Sequence, residues 1–388
     1  MSRSAWATSP LSRPVGGDGR GGQGVRGLWS AEVGAVRVHA GPGALGLLGT
    51  LVRELGGSRV LVVTDRGVRS AGHVDSALAA LEGLAADVFD DVEENPTSLH
   101  VEEGRRFAAE WSPDLLVGLG GGSAMDCAKG INFLLTNGGR MEDYRGSGKA
   151  SKPMLPSIGV PTTAGTGSEA QSYALISHPE THEKMACGDR RARFREVILD
   201  PRLAASAPRQ VAATAGIDAV SHAVESHVTS RSNPVSRLLS REAWRLLSAS
   251  LETSLDSPED LRSVGDTLLG AHLAGAAIEA SMLGAAHACA NPLTARFGIV
   301  HGVAVGLMLP HVVRFNGEER YRDLQGELAA RIEDLRAMAG LPDRLRACGV
   351  DAESLPLLAE EASRQWTAGF NPRPVDAAAL LSLYEAAF

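Results

Sequence analysis

The chain has 388 residues, of which 44% are hydrophobic and 22% charged, and its formal net charge is −8. That length suits about two domains with a large buried core. The acidic balance offers no basic footprint for nucleic acid, so no nucleic-acid partner is expected. No apolar run reaches the roughly 18 residues that span a bilayer, and the N-terminus lacks the apolar stretch of a signal peptide. No membrane association is expected. Cys127, Cys187, Cys289 and Cys348 are far apart without CxxC spacing. They read as free thiols in a reducing, cytoplasmic setting.

Residues 1–30 are rich in Gly, Ser and Arg and read as a disordered extension, because they offer too little apolar surface to order themselves. From Val36 short apolar runs alternate with amphipathic stretches. Arg59 to Asp65 reads as a buried strand through its β-branched run. Val68 to Leu84 carries apolar residues at helical spacing. Leu115 to Gly120 is a second strand, Ala124 to Leu135 a helix, and Ser157 to Pro161 a further short strand. This alternation predicts a parallel sheet with helices on both faces. Near Asp200-Pro201 the pattern changes to Ala- and Leu-rich helical periodicity. The predicted organisation is an α/β domain over 31–203 and an all-α domain over 204–388.

Two loops in the first domain suit a nucleotide. Gly118-Leu-Gly120-Gly121-Gly122-Ser123 joins a strand to a helix, lets backbone approach a pyrophosphate, and places it at a helix N-terminus that Ser123 could cap. It lacks the spacing of the common dinucleotide fingerprint, and a tight structural turn would read the same way. Pro161-Thr162-Thr163-Ala-Gly165-Thr166-Gly167-Ser168-Glu169 also follows a strand and is dense in hydroxyls and glycines. Asp65 ends its strand where a carboxylate can accept from a ribose and repel a 2′-phosphate; a helix N-cap is the equal alternative. The adjacent Arg66 could soften that repulsion.

The second domain carries one carboxylate and three imidazoles that suit a divalent transition metal. Asp218 and His222 are four apart, on one face of a helix read over Val211 to Val228. His287 and His301 lie downstream, separated by Asn291-Pro292 and Gly298, which are expected to break the helix. Taken singly, each histidine reads as a hydrogen-bonded core residue, as do His227, His272 and His311. Together they suit Fe(II), Zn(II) or Mn(II). Cys289 is a softer ligand that lies two residues from His287 and is expected to point elsewhere. A metal set and a nucleotide loop in one chain point to metal-assisted redox chemistry.

From about Val36 onward the chain resembles the iron-containing (group III) alcohol dehydrogenases. The resemblance runs through Gly120-Gly-Gly-Ser123, Pro161-Thr-Thr-Ala-Gly-Thr-Gly-Ser-Glu169, Gly216-Ile-Asp-Ala-Val-Ser-His222 and His301-Gly-Val-Ala. It implies the fold that family shares with dehydroquinate synthase, a Rossmann-like domain followed by a helical domain. It implies iron, with zinc as the alternative occupant, on Asp218, His222, His287 and His301. It also implies NAD(H) contacts at Asp65, Asn95, Gly120, Gly121, Gly122, Ser123, Thr162, Thr163, Thr166 and Lys184. The implied reaction interconverts a small alcohol and its aldehyde or ketone by hydride transfer. Relatives self-associate through the N-terminal domain, so a homo-oligomer, most simply a dimer, is expected.

Many relatives carry a histidine where this chain has Asn291, and an asparagine cannot titrate near neutral pH. The resemblance therefore leaves the proton route open at Asn291. Two rivals share the fold: a zinc-dependent glycerol-dehydrogenase-like enzyme and a dehydroquinate-synthase-like lyase. A non-catalytic nucleotide-binding protein is the third.

Overall fold

The computed structural model describes residues 27–388 apart from His182. The expected disordered extension therefore lies outside the described residues, except for residues 27–30. Trp29 and Ser30 depart from that expectation and open strand β1 (Trp29–Val33). It is held by antiparallel pairing to β2 (Val36–Ala40) and by a 2.6 Å hydrogen bond between Ser30 Oγ and His39 Nδ1. The chain divides into two compact units. Of the described residues, 27–163 with Ser168–Ser206 form one; Ala164–Gly167 with Ala207–Phe388 form the other.

The first unit is an α/β layer structure. The remaining strands are β3 (Arg59–Val63), β4 (Ala85–Phe89), β5 (Leu115–Gly120), β6 (Gly146–Ser147), β7 (Ser157–Pro161), β8 (Tyr173–Ser177), β9 (Lys184–Gly188) and β10 (Glu196–Leu199). Seven of the strands form one sheet in the order β1-β2-β10-β7-β5-β3-β4, parallel throughout except for β1. The expected parallel sheet is thus borne out. Its central strands β5 and β7 are buried along their whole length, as strands covered on both faces must be. The helices are α1 (Leu48–Glu54), α2 (Arg66–Ser70), α3 (His73–Ala80), α4 (Ser98–Trp111), α5 (Gly122–Asn137) and α6 (Pro201–Ala204). The stretch read as one helix over Val68 to Leu84 is two, α2 and α3, parted at Gly72, whose φ of +81° a helix cannot continue.

From β3 the chain crosses to β4 on one side, and from β5 it crosses to β7 on the other. The sheet therefore reverses its winding between β3 and β5. The loops at the carboxyl ends of those strands flank the crevice where open α/β sheets bind ligands. A smaller three-stranded sheet, β6-β9-β8, lies outside the sequence reading altogether.

The second unit is helical among its described residues: α7 (Arg209–Val228), α8 (Pro234–Asp256), α9 (Leu261–Ala280), α10 (Ala285–Phe297), α11 (His301–Asn316), α12 (Leu328–Met338), α13 (Leu355–Ser363) and α14 (Ala377–Ala387). Helix α7 is buried nearly all round and packs against α8, α9 and α11. A helix apolar on every side belongs at the centre of a bundle. Helix α11 approaches it without a spacer: a methyl placed on Gly302 would lie 2.0 Å from the Thr214 carbonyl oxygen. That contact sets the first turn of α11 beside the middle of α7.

Candidate metal and cofactor sites

The Gly302 contact delivers His301, the first residue of α11, to Asp218, one turn beyond Thr214 on α7. His222 follows Asp218 on the same face, and His287 enters from the first turn of α10. The Nε2 atoms of His222, His287 and His301 lie 3.3, 3.6 and 4.0 Å from Asp218 Oδ1. The ligand-type atoms of Asp218, His222 and His287 all fall within 4.8 Å of one another, and all three residues are buried. The His222 and His287 rings stack with centroids 4.9 Å apart, and the His301 ring lies 5.4 Å from His287.

Asp218 Oδ1 and His287 Nε2 are buried without a hydrogen-bond partner. Buried polar atoms are ordinarily satisfied, and leaving two facing each other is costly unless something between them binds both. One oxygen and three imidazole nitrogens converging in this way fit a first-row divalent ion. Electrostatics agree. Burial alone would raise the Asp218 carboxyl, but His222, then His287 and His301, hold it well below the usual range. Burial pushes the His222 imidazole down against the pull of Asp218. Burial would also lower His287, but Asp218 and Glu225 overcome it and raise that group to about 9.

Helix α10 differs from its reading. Asn291-Pro292 does not break it; Pro292 sits inside, and the helix ends at Gly298, which has a φ of +64°. Packing of this buried helix outweighs the one backbone hydrogen bond that Pro292 cannot donate. Asn291 is therefore one helical turn from His287 on the same face. Its Nδ2 donates to Gln365 Oε1 at 3.0 Å. Cys289 is buried with its thiol pushed up by burial and takes no part in the cluster.

Reading for ligands alone passed over Glu225. It is buried, its Oε2 lies 2.5 Å from His287 Nδ1, and its Oε1 accepts from the Ala286 N–H at 2.7 Å. The signal was available, because Asp218, His222 and Glu225 follow the i, i+4, i+7 spacing of one helix face. Gln365 carried no such signal, since only the fold brings it to α10.

In the first unit the winding reversal is lined by the expected residues. Gly120 has a φ of +149°, and a methyl there would lie 2.8 Å from Ala124 Cβ and 3.3 Å from Asp65 Oδ2. Asp65 caps α2, its Oδ1 accepting from Val68 N at 2.9 Å, while Oδ2 faces Gly120. The N-cap alternative is therefore realised, and a ribose contact would use Oδ2. Arg66 turns to an ion pair with Asp91. Ser123 does not cap α5: the helix begins one residue earlier, with Gly121 at its N-cap and no side-chain cap bond. Ser123 Oγ instead accepts from Asn95 N at 3.3 Å, and Asn95 has a φ of +54°.

Lys184 opens β9 opposite Ser177, whose N–H donates to Pro96 O at 2.8 Å, so Lys184, Asn95 and Ser123 are gathered in one region. Thr162 is buried and donates its N–H to Gly120 O at 2.9 Å; Thr163 stands beside Gly121. Thr166 is exposed and belongs with the helical unit, on a loop whose Gly167 lies against Gly275 of α9.

Residues 35–201 match the family described as iron-containing alcohol dehydrogenase, and residues 212–388 match the C-terminal region of the Fe-containing alcohol dehydrogenase family. This chain belongs to the iron-containing alcohol dehydrogenases. It is 33% identical to 1,3-propanediol dehydrogenase of Klebsiella pneumoniae over 90% of this chain and 96% of that one. It is 29% identical to the NAD-dependent methanol dehydrogenase of Bacillus methanolicus over 86% of this chain and 93% of that one. A crystal structure of 1,3-propanediol oxidoreductase superposes with a TM-score of 0.87 at 33% identity, covering 90% of this chain and 97% of the other. The expected fold class is borne out. The chain is an alcohol oxidoreductase, and the lyase and non-catalytic readings are not favoured.

Proposed function

We propose that this chain interconverts a small alcohol and its aldehyde or ketone. NAD(H) carries the hydride, and a divalent iron ion is held by Asp218, His222, His287 and His301; zinc is the alternative occupant. The observation that carries the reading is the convergence of three imidazole Nε2 atoms on Asp218 Oδ1, with buried acceptor atoms left unpartnered. When bound, the ion supplies Lewis-acid polarisation of the substrate oxygen. The protein's own residues do the rest. The glycine backbone of residues 120–122 and the uncapped start of α5 receive the pyrophosphate. Asp65 Oδ2 accepts from the adenosine ribose and disfavours a 2′-phosphate. Asn95, Ser123, Thr162, Thr163, Thr166 and Lys184 are the further cofactor contacts.

In the oxidation direction a bound nicotinamide would supply the hydride acceptor for the substrate carbon, and the hydroxyl would lose a proton. Asn291 can hold that hydroxyl by a hydrogen bond but cannot take its proton, so the proton would leave to water. The relatives' names support the substrate class, small alcohols and diols.

Self-association is part of this reading. Among the described residues strand β1 is last in the order of the large sheet, the position at which a strand of a second copy would pair. Sedimentation at several concentrations would show a dimer, and a monomer throughout would remove that element. For the function itself, NADH oxidation is measured with a panel of aldehydes on stripped protein reloaded anaerobically with Fe(II) or Zn(II). Activity that requires metal and disappears in Asp218→Ala is the expected result. NADH binding without turnover under either metal would sink the reading.

A further inference from the structure

We infer that Glu225 is the positioning residue that fixes His287 as a metal ligand by dictating which of its ring nitrogens carries the proton. The inference rests on the metal reading above and extends it to a residue outside the ligand set. A carboxylate only accepts hydrogen bonds, and Glu225 uses both oxygens: Oε1 on the Ala286 N–H at 2.7 Å and Oε2 on His287 Nδ1 at 2.5 Å. Glu225 is 3% exposed and His287 4%, so water does not compete. With Oε2 as the neighbour, Nδ1 must be the donor. When the ring gives up its second proton to bind a metal, the lone pair is on Nε2, the buried atom that faces Asp218 Oδ1.

The support for Glu225 is itself built in. Gly284 leaves room for it, since a methyl there would lie 2.9 Å from Glu225 Oε1. Asn371 Oδ1 takes the neighbouring Ala285 N–H at 3.3 Å, and Asn371 is bonded in turn to Asn316. The start of α10 is thereby fixed while Glu225 aims the ring. Glu225 also adds a second carboxylate beside Asp218. Two carboxylates against a dication balance it, where the Asp218 carboxylate alone leaves about +1.

The decisive variant is Glu225→Gln, which keeps the shape and has one acceptor oxygen. If that oxygen stays on Ala286 N–H, the amide NH2 faces Nδ1 and forces the proton to Nε2, closing the ligand position. If the amide turns over, its NH2 meets the Ala286 N–H donor. The control is Asn371→Ala, which removes a bond to the start of α10 without touching His287. Zinc affinity is measured by competition with a chelator on the full chain. Glu225→Gln is expected to bind Zn(II) about 10- to 100-fold more weakly than the unmodified chain, and Asn371→Ala less than threefold more weakly.

Equal affinity in Glu225→Gln and the unmodified chain overturns the inference, and so does an equal loss in both variants, which would make Glu225 a helix cap. An unmodified chain that binds no zinc or iron overturns the metal reading itself. A measurement that needs no variant covers the case in which Glu225→Gln does not fold. In 15N-histidine-labelled, zinc-loaded protein His287 is expected as Nδ1–H with Nε2 on the metal, and an unprotonated Nδ1 contradicts the inference.

Discussion

Asp218 is the residue with the least redundancy. Its Oδ1 is the shared neighbour of three imidazoles, so removing it leaves the Glu225 carboxylate, bonded to His287, as the remaining counter-charge and costs the substrate oxygen its polarising ion. Asp218→Ala should lower kcat/KM by ~10³-fold or more, equivalent to several kcal/mol of transition-state stabilisation, while NADH binding by fluorescence changes little. A drop of less than about tenfold would remove Asp218 from the site. Asn291 makes a different prediction. As it does not titrate, Asn291→His should add an ionisation between about pH 5 and 8 to the profile of kcat/KM when chemistry limits the rate. Superimposable profiles would show that the proton never passes this position.

At this scale the sequence was readable where chemistry shares a helix face. Asp218 and His222 announced themselves by spacing; Glu225, one turn on, was on the same face and was passed over because only ligands were sought. Ser123 was misread as a cap because the helix begins at Gly122, two residues before the expected Ala124. Gln365 was beyond reach, since 74 residues separate it from its partner Asn291.

Among elements, the turn between β5 and α5 rests on a glycine conformation that a side chain adopts only with strain. Gly120→Ala must adopt a φ of +149° and place a methyl 2.8 Å from Ala124 Cβ. Such a residue costs about 1–3 kcal/mol. The variant should melt lower and raise the KM for NADH roughly tenfold, read by thermal unfolding and initial rates. Unchanged stability and KM would show that the turn has slack and holds no cofactor.

Strands β3, β5 and β7 were legible because both faces are covered and their apolar runs are continuous. Strand β4 was not: Ala85-Ala-Asp87-Val-Phe89 is an edge strand with a charge at its centre. The small sheet of β6, β8 and β9 carries no long apolar run either. Helix α10 was divided in advance at Asn291-Pro292 because local propensity counts a proline as a stop, whereas the helix is buried from Ala285 to Ala290 and again at Pro292 and Leu293. Tertiary burial decided there.

At the scale of the whole molecule, stability carries a pH signature from a residue outside the site. Burial, with Arg237 second, pushes the His227 imidazole down to about 4, and its Nδ1 lies 2.9 Å from Ser240 Oγ. An unfolded histidine titrates near 6.5. Between those values the unfolded chain binds more protons than the folded one. The contribution is therefore complete above about pH 6.5 and is lost as pH falls toward 4, by up to ~3 kcal/mol. The melting temperature should decline over that window, and His227→Gln should flatten the slope. An unchanged slope in the variant would assign the acid lability elsewhere.

The molecule's class was legible from four short motifs because each joins a strand end or helix face to a chemical requirement. The substrate was not, since no motif encodes its shape. Among the described residues no single helix is long and apolar enough to cross a membrane.

Metal-dependent hydride transfer between nicotinamide and a small carbonyl compound leaves an isotopic trace. The decisive experiment is a single turnover with NADH deuterated on the transferring face of C4, on stripped protein with and without Fe(II), with a small aldehyde that the panel shows to be turned over. Deuterium is expected on the former carbonyl carbon of the alcohol, with transfer only when the metal is present. Transfer at the same rate without metal, or NADH consumed with no deuterium on that carbon, would contradict it.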